Sequence, residues 1–115
     1  MVAFNFKKQF IEAVEEGTKR QTIRAHRKDG RQPKVGDKLQ LYYGMRTKQC
    51  RKLRDAKCKE VWSIRIEKDD AHIFGWGDVF RDTFAVADGF KGWEDMRDFF
   101  KETHGLPFNG ILVKW

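Results

Sequence analysis

Histidine and cysteine are scarce in this chain, with three and two residues among 115. Neither type falls at metal-ligand spacing, which excludes a zinc framework, and no metal is expected. Cys50 and Cys58 lie in a lysine- and arginine-rich segment. A bridge between them would need an oxidising compartment, so both are expected as reduced thiols. His26, His72 and His104 are scattered and read as surface or capping residues. No apolar run reaches membrane-spanning length, and the start Met-Val-Ala-Phe-Asn-Phe-Lys-Lys lacks the charged-then-apolar order of a signal peptide. A cytoplasmic protein with no membrane partner is expected. Also missing are GxxxxGK[ST], GxSxG, HExxH and the dinucleotide fingerprint, so the chemistries tied to them are excluded and no cofactor is expected. Internal repeats and low-complexity tracts are absent too.

Acidic residues are outnumbered. Lys and Arg total 24 against 17 Asp and Glu, a net charge of +7. Such a balance favours polyanionic partners, most simply RNA or DNA, through phosphate contacts and counterion release. Hydrophobic residues at 40% and aromatics at 14% are enough for a core, so one folded domain over residues 1–115 is expected.

The cations cluster most tellingly in Gly17-Thr18-Lys19-Arg20-Gln21-Thr22-Ile23-Arg24. β-Branched Thr22 and Ile23 favour extended backbone, so this stretch reads as the start of a strand. A strand so rich in donors points to the floor of an anion- or nucleotide-binding cleft. Before it, Phe6, Phe10, Ile11 and Val14 fall at helical spacing and predict a helix over 4–16, with Asn5 as cap and Gly17 as terminator. Glu15 and Glu16 sit at the unfavourable end of that helix's dipole; they read either as partners of Lys19 or Arg20 or as a solvated acidic edge.

A basic turn-rich loop follows from Ala25 to Lys34, in which Arg27 is a candidate phosphate contact. Leu39, Leu41 and Tyr43 alternate with Gln40 and Tyr42, the period of a half-buried strand. From Arg46 to Lys59 cations crowd a weakly apolar segment, which reads as a flexible loop at the rim of a site. Residues 61–66 predict a strand with Trp62, Ile64 and Ile66 on one face. Residues 72–77 predict a bulged or edge strand. There Trp76 reads either as a base-stacking aromatic or as a partly buried core residue. The stretch Phe84 to Phe90 leads into a helix from Trp93 to about Thr103. The closing strand, 110–115, is apolar on both faces and is expected to be central. Asp88, in an Ala-Asp-Gly-Phe turn, either shapes that turn or joins Lys19, Thr22 and Arg24 in a site.

The order helix, strands, helix, strand predicts an α+β fold: a mainly antiparallel sheet or small barrel carrying two helices. Gly17-x-Lys19-x-x-Thr22-Ile23-Arg24, then Val35-Gly36-Asp37, then Asp88-Gly89-Phe90 before a Trp/Met/Phe helix, then a strand ending in Trp115, together resemble the ASCH domain. This is the activating signal cointegrator homology domain, a relative of the PUA domain, and the resemblance covers nearly the whole chain. It implies a PUA-like β-barrel of five or six strands with two flanking helices, and beside it a cleft suited to RNA or a modified nucleoside.

Some small bacterial members of that family hydrolyse the acetyl amide of N4-acetylcytidine with a threonine, a lysine and an acid. Others bind or cleave RNA. Carried over by motif, Thr22 would be the nucleophile and Lys19 its base. Asp88, which stands where those hydrolases carry Glu, would hold the lysine, and Arg24 would be a neighbouring cation. On a regular strand Lys19 and Thr22 point to opposite faces, so they meet only if Lys19 lies in the turn after Gly17 or a bulge intervenes. A binding module would use Lys19, Arg20, Arg24, Arg27, Tyr42, Arg46 and Trp76 to grip phosphates and bases. A ribonuclease is the third reading, though no histidine pair for general acid–base cleavage is evident.

Overall fold

The computed structural model describes residues 2–78 and 81–115. Among the described residues are eight strands: β1 (Val2–Phe6), β2 (Gln21–Arg24), β3 (Lys38–Tyr43), β4 (Arg51–Lys57), β5 (Glu60–Ile66), β6 (Ala71–Ile73), β7 (Gly77–Asp78) and β8 (Phe108–Lys114). Three helices accompany them: α1 (Ile11–Glu16), α2 (Arg81–Ala87) and α3 (Trp93–Thr103). The fold is α+β. Its strands pair as two sheets, β1-β3-β4 and β2-β8-β5-β6-β7. All neighbours run antiparallel except β1 and β3. Among the described residues these ladders do not join into one closed ring.

The predicted helix over 4–16 is in part a strand. Val2, Phe4 and Phe6 are buried while Asn5 is exposed, an alternation of period two that wins over the first half of the helical pattern. A single 3₁₀ turn, Lys8–Phe10, then leads into α1. Asn5 therefore caps nothing. Gly17 does end α1, at φ +83°, where a residue without Cβ is unstrained. Glu15 pairs with Arg51 rather than with Lys19 or Arg20.

The segment from Arg46 to Lys59 is not a flexible loop either, because most of it is β4. β4 pairs with β3 from Lys38↔Lys57 to Tyr43↔Arg51 and forms an edge of its sheet. Exposed lysines and arginines on an edge strand discourage pairing with other chains, which is why the segment looks like a loop in sequence. Phe84 to Ala87, read as a lead-in, is the end of α2.

β8 is central, flanked by β2 and β5. Ile111, Leu112 and Val113 are all buried in succession, so both of its faces are covered. α3 runs where its pattern predicts and turns Trp93, Met96 and Phe100 inward. Its first turn is tied by Asp82 Oδ1, which accepts from the Trp93 N–H at 2.9 Å. One core joins the two sheets: Phe4, Phe6, Leu39 and Leu41 from the first pack in the same cluster as Ile64, Ile66, Leu112 and Val113 from the second. Among the described residues no helix is long and apolar enough to cross a membrane.

Candidate functional site

A cavity of about 530 Å³ opens between β1, β2 and α3. That lies within the span of small-molecule sites, roughly 300–1,000 Å³. Phe4 and Phe6 of β1, Thr22 and Arg24 of β2, and Phe99 and Phe100 of α3 wall it, and Asp88 and Phe90 close one side. Lys19, Thr22, Arg24, Arg27 and Asp88 all line this one cavity.

Each is placed by local structure. On β2, Thr22 and Arg24 are two apart and share a face, opposite Val113 and Ile111 of β8. Lys19 stands before β2, in the turn after Gly17, where its N–H donates to Ala13 O at 3.0 Å. It thereby escapes the strand alternation that would separate it from Thr22. Asp88 follows α2, its N–H donating to Phe84 O at 3.1 Å. Gly89 then turns the chain at φ +93°. A Cβ there would lie 2.9 Å from the Phe10 ring and 3.0 Å from Lys19 Cδ, so glycine lets this turn press against the lysine.

Lys19 and Asp88 form a buried pair, each only 2–3% exposed. Lys19 Nζ donates to the main-chain oxygen of Asp88 and lies 3.3 Å from Oδ1. Gln21 Nε2 reaches the same Oδ1 at 3.4 Å. Burial pulls the Lys19 amine below the usual lysine range, helped slightly by Arg24 and opposed by Asp88. Burial likewise pushes the Asp88 carboxyl above the usual carboxylate range, opposed first by Lys19. Both shifts run toward the uncharged partners.

Thr22 is 4% exposed, and its Oγ1 accepts from Arg24 Nε at 3.0 Å. A donor aimed at a hydroxyl oxygen stabilises negative charge developing there. Arg24 also donates to Asn5 O at 2.8 Å and sits 4.8 Å from the Phe6 ring centroid and 5.1 Å from that of Phe4. Burial, resisted by Asp88 and abetted by Arg27, brings its pKa down to about 10, which leaves it charged at neutral pH. The ammonium of Lys19 lies 4.8 Å from the Phe10 ring centroid. The site thus joins an amine inclined to neutrality, a hydroxyl with a cationic donor, a buried acid and aromatic walls.

Other candidates lie elsewhere. Arg20 is exposed and borders a separate shallow hollow with Lys59 and Lys114. Tyr42, half-buried on β3, and exposed Arg46, in the turn after Gly44, do not line the cavity. Trp76 is 39% exposed, packs edge-on against Trp62 at 5.6 Å, and carries Lys114 Nζ 4.4 Å above its ring. It too stands outside the cavity. The turn of Val35-Gly36-Asp37 is held by Asp37 Oδ2, which accepts from the Lys34 N–H at 2.9 Å; its role is structural.

Two neighbours of the site were not foreseen. Gln21, on the other face of β2, reaches Asp88 only because that strand is buried on both sides. His104, read as a scattered histidine, lines the cavity and packs on Phe108 at 4.7 Å. Its place four residues after inward-facing Phe100, at helical spacing, was the available signal. Cys50 and Cys58 are free thiols, and no group of three or more His, Cys, Asp or Glu among the described residues could hold a metal ion. Comparison with known proteins adds no relative: no family model, no curated protein and no solved structure matches the chain.

Proposed function

We propose that the cavity binds a nucleoside, either free or as an unstacked nucleotide of RNA, in a domain of the ASCH type with a PUA-like barrel. One observation carries this reading: Lys19, Thr22, Arg24 and Asp88 converge on a single aromatic-walled hollow. Phe4, Phe6, Phe90 and Phe99 offer flat apolar surface to a base, and the polar groups offer donors and acceptors to its edge. Lys19 is buried and Arg24 half-buried among the rings of Phe4, Phe6 and Phe10, which suits a base better than a long polyanion lying across a surface.

A second reading is favoured by the state of Lys19 and Thr22, namely hydrolysis of the acetyl amide of N4-acetylcytidine. Neutral Lys19 would take the Thr22 proton as Oγ1 attacks the acetyl carbonyl carbon. The oxyanion would form beside Arg24. Lys19 would return the proton to the departing N4 as the C–N bond breaks, releasing cytidine and leaving an acetyl ester on Thr22. Water, deprotonated by Lys19, would cleave that ester to acetate and restore Thr22. Asp88 would anchor the amine throughout.

Incubation of the purified protein with N4-acetylcytidine, following cytidine release, tests both readings with calorimetry beside it. Hydrolysis predicts turnover that Thr22→Ala lowers by about 10³-fold or more, while the variant still binds the substrate. Binding without turnover in the parent protein leaves the module reading alone. Neither binding nor turnover of any nucleoside contradicts both.

A further inference from the structure

The cavity holds more positive charge than its own acid offsets. Lys7, Lys19, Arg24 and Arg27 line it, and Asp88 is the one carboxylate among the lining residues. Asp88 is already engaged by Lys19 and Gln21. Arg27 is close enough for its charge to help lower the pKa of Arg24. Like charges gathered at a partly buried site repel until an anion arrives.

Donor capacity is also left over. Each guanidinium has five N–H groups. Arg27 spends one terminal nitrogen on Ala3 O at 3.1 Å. Its main chain, however, is clamped: its N–H donates to Gln32 Oε1 and Gln32 Nε2 donates to its carbonyl, both at 3.2 Å. The guanidinium lies 5.7 Å from the Phe4 ring centroid. A cation on a merely solvated loop gains nothing from such fixing. Arg27 is half-buried, at the boundary between the hollow and solvent. Lys7, exposed, sits with Nζ 4.9 Å from the Phe99 ring centroid on the same lining.

We propose that the ligand carries a phosphate which Arg27 reads at the mouth of the cavity with Lys7 in support, making the ligand class a nucleoside monophosphate or the phosphorylated end of an RNA. The inference rests on the cavity being a nucleoside site. It divides the ligand between two regions. The base end meets the rings and the Lys19–Thr22–Asp88 group, and the phosphate meets the partly solvated cations. A guanidinium held in place matches phosphate with two parallel N–H bonds, which a neutral ribose hydroxyl cannot replace.

Calorimetry at low salt tests this with the four common nucleosides, their 5′- and 3′-monophosphates, inorganic phosphate, and short RNAs with and without a terminal phosphate. The expected result is that, for the base bound best, one monophosphate binds about tenfold or more tighter than its nucleoside. Arg27→Gln should narrow that ratio to about twofold, and Arg27→Lys should keep an intermediate ratio. Thermal melting of each variant separates loss of fold from loss of contact. If nucleosides bind but phosphate adds nothing, or if Arg27→Gln leaves the ratio unchanged, the phosphate inference fails and the cavity reading stands. If neither nucleosides nor nucleotides bind, both fail. Inorganic phosphate binding as tightly as the nucleotide would also overturn it, since the rings would then play no part. Tighter binding of the phosphorylated RNA than of the mononucleotide identifies RNA as the source; the reverse identifies the free nucleotide.

Discussion

At the scale of single residues the site rests on the Lys19–Asp88 pair. Both are almost wholly buried and hydrogen-bonded to each other. Removing one partner leaves the other's polar or charged group in a dry site. Lys19→Met should therefore destabilise the fold by about 3–5 kcal/mol in denaturant titrations, and Lys19→Met with Asp88→Leu should recover much of that loss. The pair also fixes a pH dependence. Asp88 raises the Lys19 pKa, by its charge and by its hydrogen bond, against the larger lowering caused by burial. Asp88→Asn removes the charge, so the Lys19 pKa falls further. Under the hydrolytic reading the active form has a neutral amine. The acidic limb of the kcat/KM profile should then move to lower pH in Asp88→Asn, and a shift to higher pH would contradict this role for Asp88.

How far these residues were legible in sequence differs among them. Lys19, Thr22 and Arg24 announced themselves through residue type and closeness in one short stretch. Asp88 stood open between shaping its turn and joining the site, and its role came through resemblance, because a partner 69 positions away leaves no local pattern. Gln21 left no usable signal, since it reaches Asp88 through packing that periodicity does not encode, whereas His104 stands at helical spacing from inward-facing Phe100. Arg20, Arg46 and Trp76 have the right chemistry on other surfaces, because charge and aromaticity alone do not tell which face a side chain joins.

At the scale of elements, β2 and β8 set the site. Gly110 of β8 lies so close to β2 that a Cβ added there would stand 2.3 Å from Arg24 O and 2.8 Å from the Phe108 ring. The backbone would have to move. Gly110→Ala should cost about 1–3 kcal/mol or more in stability and displace Arg24 from Thr22, weakening ligand binding with it. Gly30 offers the contrast. It sits at φ +75° with nothing within 4 Å of an added Cβ. Gly30→Ala should cost only the backbone strain, about 1 kcal/mol, and leave binding intact; equal losses from both substitutions would contradict the packing argument.

Periodicity predicted α3, β3, β5 and β8 well because each has one consistent pattern along its length. It failed at β1, where Phe6 and Phe10 fit a helix while Val2, Phe4 and Phe6 fit a strand. Pairing with β3 decided in favour of the strand. It failed at β4 because an edge strand's charges look like a loop.

At the scale of the whole molecule the cavity depends on both sheets. β1 belongs to the first and β2 and β8 to the second, and each supplies part of the wall. Anything that loosens their common core should loosen the site. Leu112, fully buried on the central strand of the second sheet, is the sharpest probe. Leu112→Ala should cost about 2–5 kcal/mol by denaturant unfolding. The α+β class and the central place of β8 were readable from hydrophobic pattern. The division into two sheets was not, since strand pairing between distant segments is set by three-dimensional packing rather than by local sequence.

What remains to be seen directly is a nucleoside in the hollow bounded by Phe4, Phe6, Thr22, Arg24, Asp88 and Phe99. A crystal structure of Thr22→Ala grown with saturating N4-acetylcytidine tests it most directly. The base is expected between these rings, with its acetylated edge toward Lys19 and position 22. A ligand bound at another surface, such as Trp76 or the hollow beside Arg20, with the cavity holding only solvent, would contradict it.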